Sequence, residues 1–329
     1  MNYRLILKTI GNVLRIEALL MLFPLVVSFL YGGGDHLSFL WSILILASAG
    51  TVLASLKSKD TNFRTKDAFV VAGFSWVLLS LFGALPFYFS GYFQSYIDCF
   101  FEIASGFTTT GASILTNVEI LPKGILFWRS FSHWIGGMGV LMFIMAIMPS
   151  INASSLNLMR AESTGPSPDK IVPRMHETAK IIYLIYFVMT VVLVVLLKIA
   201  GLPLFDSLVN AFSVAGTGGF SIMNASIGAY NNVAAEIIIT VFMFLFGVNF
   251  SLYFLLLGKK FKKFFSDIEL KTYFGIVITA ILIIAIDISG LYGGIWEALR
   301  HSSFQVSTIV STTGFATTDF NLWPTLSKV

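Results

Sequence analysis

Three short clusters of glycine, threonine and serine stand in otherwise apolar sequence: Thr108-Thr109-Thr110-Gly111-Ala112-Ser113, Gly216-Thr217-Gly218-Gly219-Phe220-Ser221 and Ser311-Thr312-Thr313-Gly314-Phe315-Ala316. Aligned on Gly111, Gly219 and Gly314, each reads threonine, a small residue, glycine. Six positions earlier stand Ser105, Ser213 and Thr308, and nine positions earlier Glu102, Asn210 and Gln305. The chemistry that suits this pattern is the holding of a dehydrated cation by oxygen without trapping it, which rings of backbone carbonyls achieve. Glycine reaches positive φ without steric cost, so successive carbonyls can be turned to one side, and threonine or serine adds hydroxyls without bulk. A short helix ahead of each cluster would aim the negative end of its dipole at the same place, favouring a cation over an anion.

A lone glycine-threonine cluster reads as a turn; three in register do not. Gly216-Thr217-Gly218-Gly219 lacks the Lys-Ser/Thr and the preceding strand of a phosphate loop. His176-Glu177 is followed by Lys180 where a zinc protease needs a second histidine, so it reads as a loop entering a helix. Asp98, Asp206 and Glu297 read as N-cap carboxylates on the short helices, with cation steering at an outer mouth as the other reading. Arg129 and His133 share one helix face near the outer interface, where snorkelling and packing explain them at least as well as a gating role does. Asp287 lies in a span near its outer end, either functional or interfacial. The lysines at 259–263 read as a topology anchor touching anionic lipid.

The elements that must carry these clusters are membrane helices. Hydrophobic residues make up 56% of the 329 positions, charged residues 12%, and mean hydropathy is +0.84, far from the balance of a soluble domain. Strand-period alternation is absent, and the single cysteine, Cys99, supports neither an intrachain disulfide nor a zinc cluster. The arginines and lysine of the N-terminus precede an apolar run without a cleavage site, which reads as a retained helix. Apolar stretches near 13–31, 37–56, 68–90, 125–148, 181–200, 233–257 and 273–291 are each long enough to span, about 20 residues being needed. The stretches 92–113, 203–222 and 293–318 have turn chemistry but are too apolar for water. Irregular backbone at membrane depth is tolerated only where protein buries it or it lines a watery cavity, so these are re-entrant loops. From Gly111 to Gly219 is 108 residues and from Gly219 to Gly314 is 95, so a unit of helix, re-entrant loop and helix repeats, and internal repetition outweighs any one motif.

Basic residues sort by side. With the N-terminus inside, 16 of the 21 lysines and arginines fall on one face, in the N-terminal helix and the stretches 57–67, 160–180 and 258–271, which the positive-inside bias makes cytoplasmic. The re-entrant loops then open toward an acidic outer face. The net charge of +4 is a topology signal, with nothing to suggest nucleic-acid binding.

Four segments carry a resemblance: Gly106-Phe-Thr-Thr-Thr-Gly-Ala-Ser113, Trp128-Arg-Ser-Phe-Ser-His-Trp-Ile-Gly-Gly-Met-Gly139, Pro173-Arg-Met-His-Glu-Thr-Ala-Lys180 and Ser311-Thr-Thr-Gly-Phe315. Together they resemble the TrkH subunits of the Trk/Ktr/HKT potassium-uptake superfamily, over essentially the whole chain. The resemblance implies an all-α integral membrane protein whose helix–re-entrant loop–helix units surround a pseudo-symmetric ion pore. It implies potassium uptake across a bacterial cytoplasmic (inner) membrane, as a multi-pass protein with a cytoplasmic N-terminus and no enzymatic activity or cofactor. The other readings are a secondary carrier of another cation or small solute, and an intramembrane enzyme using His133 or His301 with Glu102 or Glu297.

Carried onto this chain, the filter comprises Thr109, Thr110, Gly111, Thr217, Gly218, Gly219, Thr312, Thr313 and Gly314. Potassium is expected at Thr110, Gly111, Gly218, Gly219, Thr313 and Gly314, with Ser105, Ser213 and Thr308 as support in the pore helices. A homodimer, a cytosolic nucleotide-binding regulatory subunit resembling TrkA, and membrane lipid are the implied partners. The expected organisation is two N-terminal helices in 1–60, then repeats in 61–150, 151–262 and 263–329, the last stopping early and a fourth repeat missing.

Overall fold

The computed structural model describes residues 2–56, 65–137, 139 and 175–328. Among them regular structure is helical throughout, and the chain divides into two compact units, residues 1–116 with 120–183, and residues 117–119 with 184–329.

In the first unit α1 (Tyr3–Leu20) starts at Asn2, whose side chain accepts from the Leu5 amide, so the first helix begins ten residues before the predicted 13–31 span. It is followed by α2 (Leu22–Tyr31). The pyrrolidine ring of Pro24 would meet the carbonyl four residues back, that of Leu20, which is where α1 stops. After α3 (His36–Ala54) and α4 (Thr65–Gly83), Pro86 has the same effect, and the chain restarts as α5 (Leu85–Ser90). The first short pore helix is α6 (Tyr96–Phe107), and α7 (Lys123–Gly137) returns beside it. Residues 138 and 140–148 of the predicted 125–148 span, 57–64 and 160–174 lie outside the described residues.

Close helix packing here depends on glycine. A Cβ on Gly11 of α1 would stand 2.5 Å from the Ala54 amide nitrogen, and one on Gly50 of α3 would stand 2.8 Å from the Arg15 Cγ. Small residues let helix backbones approach where lipid supplies no hydrophobic drive. Large apolar side chains such as Phe23, Phe29, Leu30, Trp41 and Phe74 point outward, as they do where acyl chains are the solvent.

The helix α8 (Met175–Ile199) leads into the second unit, which holds α9 (Leu204–Ala215), α10 (Val233–Phe246), α11 (Phe250–Leu257), α12 (Phe261–Ser266), α13 (Ile268–Ile288), α14 (Ile295–Val310) and the terminal turn α15 (Thr325–Lys328). Five helical stretches among the described residues are long and apolar enough to cross a membrane: Tyr3–Tyr31, His36–Ala54, Phe69–Ser90, Lys180–Ile199 and Ile268–Ile288. The predicted straight span 233–257 is instead two helices, α10 and α11, bent by 92°. The break falls at Gly247-Val248-Asn249, where the Asn249 side chain caps α11 by accepting from the Ser251 amide. Tyrosines donate to carbonyls at the bend, Tyr253 to Leu245 at 2.6 Å, beside the Val248 amide at 3.2 Å, and Tyr273 to Phe244 at 3.3 Å. Broken helix at membrane depth demands such partners.

Candidate functional site

The three predicted re-entrant loops share one backbone design. Each has a short helix, α6, α9 or α14, capped at its end by Thr108, Gly216 or Ser311. The next residue, Thr109, Thr217 or Thr312, is left-handed, with φ of 53°, 51° and 60°. Its amide donates back to the carbonyl of Gly106, Val214 or Ile309 at 3.1, 3.0 and 3.0 Å. The following amide, of Thr110, Gly218 or Thr313, donates to Ser105, Ser213 or Thr308 at 2.9, 3.0 and 2.8 Å. These paired bonds make the Schellman C-cap, whose left-handed position is ordinarily glycine. A β-branched residue there is a genuine outlier, and such strain concentrates where function over-determines the backbone. Then Gly111, Gly219 and Gly314 turn left-handed again, with φ of 72°, 74° and 84°.

The supporting positions Ser105, Ser213 and Thr308 thus hold the loops chiefly by main-chain carbonyls. Only Ser213 adds a hydroxyl bond, Oγ to the Phe220 carbonyl at 2.7 Å; the buried hydroxyls of Ser105 and Thr308 have no hydrogen bond among the described residues. The residues flanking the left-handed threonine pair with each other. Thr108 and Thr110 hydroxyls lie 2.8 Å apart, Ser311 and Thr313 hydroxyls 2.7 Å, and in the second loop both positions are glycine.

Within the second unit, loops two and three lie against each other. A Cβ on Gly219 would overlap the Thr313 carbonyl oxygen. Beyond the glycines, the Gly228 amide donates to the Ala316 carbonyl at 3.1 Å and the Ala316 amide to Ser226 Oγ at 3.2 Å. Residues 117–119, which count with this unit, are held by Asn224: its Oδ1 accepts from the Val118 amide, its Nδ2 donates to Asn117 Oδ1 and its amide to Glu119 Oε1, each at 2.9 Å.

The first loop has a feature the others lack. Glu102 of α6 is fully buried, and its carboxylate accepts from Ser113 Oγ at 2.9 Å, the Ile114 amide at 3.0 Å and Arg129 Nε at 2.5 Å. Asn210 instead donates to the Tyr230 hydroxyl at 3.1 Å, and the Gln305 Oε1 is buried with no hydrogen bond among the described residues.

The family described as TrkH, cation transport protein, matches residues 36–329. The chain belongs to the TrkH family. Among its relatives is the Trk system potassium uptake protein TrkH of Halomonas elongata, 35% identical over 98% of this chain and 68% of that protein. The protein of the same name in Escherichia coli strain K12 is 33% identical over the same shares. The crystal structure of the potassium transporter TrkH from Vibrio parahaemolyticus superposes with a TM-score of 0.86 at 30% identity, covering 98% of this chain and 68% of that one. A multi-pass, all-helical membrane transporter fold is therefore established.

Several sequence readings are corrected in this TrkH-family fold. Asp98, Asp206 and Glu297 are not N-caps; the caps are Ser95, Pro203 and Gly294, and each acid stands at the third helical position. Ser95 and Asp98 form a reciprocal capping box, and Glu297 accepts from the Gly293 amide at 3.2 Å. Arg129 does not snorkel: it is 3% exposed and paired with Glu102, and His133, one turn on, is also buried. Asp287 is anchored by the Ser327 hydroxyl at 2.6 Å. His301 stacks on Tyr292, ring centroids 4.6 Å apart, with Arg300 3.1 Å from its Nε2. The left-handed threonines escaped the sequence reading, although their recurrence two positions before each glycine was the available signal.

Proposed function

We propose that the chain takes up potassium across the bacterial cytoplasmic membrane through a filter of backbone carbonyls contributed by Thr110, Gly111, Gly218, Gly219, Thr313 and Gly314. The observation that carries this is the threefold recurrence of one strained backbone: left-handed threonine, a small residue, left-handed glycine, pinned to the carbonyl of Ser105, Ser213 or Thr308. Alternating handedness lets successive carbonyls share one side, and a dehydrated potassium ion asks for such oxygens from several directions. Thr109, Thr217 and Thr312 set the turn, and the short helices point the negative ends of their dipoles at the ion. Potassium is the substrate, and no cofactor takes part.

The names of the relatives support the choice of ion, and their membership of a Trk system supports a cytosolic nucleotide-binding regulatory subunit resembling TrkA. A homodimer, helices in 1–60 ahead of repeats in 61–150, 151–262 and 263–329, and a cytoplasmic N-terminus complete the reading. The test is thermal unfolding of purified protein in potassium and in sodium. Bound ligand at a hundred times its dissociation constant stabilises by about 2.7 kcal/mol, so potassium should raise Tm and sodium should not. Equal effects of the two ions would overturn the assignment.

A further inference from the structure

The first loop is held differently from the other two: a buried ion pair bonds its exit, whereas the ion pair in the second unit, Arg300 of α14 with Glu236 of α10 at 3.3 Å, joins two helices. Beyond Gly111 the chain leaves the filter through Ala112 and Ser113, and there the Glu102 carboxylate takes hold. It accepts from Ser113 Oγ at 2.9 and 3.2 Å and from the Ile114 amide at 3.0 Å. Ser113 Oγ in turn accepts from the Leu115 amide at 3.1 Å. Arg129 of α7 donates to the same carboxylate, with both side chains out of solvent at 3% and 0% exposure. Glu102 therefore joins three elements: the pore helix that bears it, the segment of chain leaving the filter, and the helix α7 that follows it.

The corresponding positions are neutral. Asn210 and Gln305 stand nine residues before their glycines, as Glu102 does, and α10, which follows the second loop, contains no lysine or arginine. A buried charge pair is not needed merely to fold a site of this kind, because apolar or neutral packing is often as stable. What a charged hub adds is short, directional bonds that resist displacement.

We propose that the Glu102–Arg129 pair is a specificity-determining positioning element, which fixes the exit of the first filter segment through Ser113 and Ile114 and so holds the Gly111 carbonyl at the spacing potassium requires. Neither side chain touches the ion. The assignment rests on the reading of Gly111 as a filter residue. Slackening this anchor lets the segment close around a smaller ion, so the loss falls on discrimination before it falls on transport.

The experiment measures potassium uptake and its competition by sodium in potassium-uptake-deficient cells expressing the native gene product, together with membrane abundance and Tm of each variant. Glu102→Gln keeps the side chain's shape and removes its charge; it is expected to lower the potassium-over-sodium preference about tenfold, which corresponds to roughly 1.4 kcal/mol of discrimination. Ser113→Ala deletes one arm only and should give a smaller loss at unchanged abundance. Arg129→Lys should retain more of the preference than Arg129→Met. A purely structural role predicts lower abundance or Tm with the ion ratio intact, and that pattern across the variants overturns the proposal. Should Glu102→Gln fail to reach the membrane, Ser113→Ala decides: a wild-type ratio refutes the anchor. A wild type that handles both ions alike overturns the filter reading and this assignment with it, whereas a discriminating wild type with equally discriminating variants overturns the assignment alone.

Discussion

At the scale of single residues, the filter glycines share a backbone conformation but not a neighbourhood. Gly219 and Gly314 both have positive φ, so any side chain costs about 1–2 kcal/mol in strain. At Gly314 a Cβ would find nothing within 4 Å, while at Gly219 it would overlap the Thr313 carbonyl oxygen. A backbone atom in a neighbouring filter cannot step aside without moving that filter. Gly219→Ala is therefore expected to abolish potassium uptake, and Gly314→Ala to weaken it while leaving measurable transport. Uptake assays on the two single variants check this, and indistinguishable losses would count against contact between the second and third loops. Thr109, Thr217 and Thr312, each two positions before its filter glycine, bear a similar strain without glycine's freedom, held by the cap bonds to Ser105, Ser213 and Thr308.

At the scale of elements, each pore helix ends in the same Schellman bonds, and in α6 and α14 an acid of the first turn also bonds backbone at the start. A third constraint acts on α6. Gly136 of α7 comes so close that a Cβ there would overlap the carbonyl oxygen of Phe107, the last residue of α6. Trp128, on the same helix, is fully buried and donates from Nε1 to the Gly83 carbonyl at 2.9 Å. Gly136→Ala should then cost about 1–3 kcal/mol by overpacking. Gly73→Ala in α4, where a Cβ meets nothing within 4 Å, should stabilise by about 0.5–1 kcal/mol through helix propensity. Thermal unfolding of both variants distinguishes the cases, and a Tm for Gly136→Ala at or above wild type would show that α6 and α7 are not held at this distance.

At the scale of the whole molecule, the charge pattern carries the orientation. Lys66, Lys259, Lys260, Lys262, Lys263 and Lys271 are all exposed, so packing does not dictate where they fall, and the positive-inside bias is the ground for the proposal that they face the cytoplasm. Single cysteines substituted for Lys66 and Lys262 should be inaccessible to a membrane-impermeant thiol reagent applied to intact cells and labelled after the membrane is breached. Cys99, buried in α6, leaves the background silent. Labelling from outside would overturn the proposed orientation and with it the side proposed for a regulatory subunit.

What the amino-acid order determined on its own is whatever depends on local composition and period. Helices of membrane length, three polar interruptions at a spacing of about a hundred residues, and glycines placed for left-handed turns are all written in neighbouring residues. The helix breaks at Pro24 and Pro86 fall inside stretches that read from sequence as single spans, and the 92° break after Phe246 has no proline at all and is accompanied by tyrosines of α11 and α13 that donate to its carbonyls. Tertiary structure alone decided the partners of polar groups far apart in sequence. Nothing near Arg129 announces that a carboxylate 27 residues away will neutralise it, and a lone cation in an apolar helix reads naturally as one reaching for the interface. The same holds for Gly219, whose need for glycine arises from its own φ and equally from a carbonyl contributed by the next repeat. Local energetics select which backbone shapes a segment can take, but a buried charge or a close backbone approach acquires its meaning from the group placed opposite it.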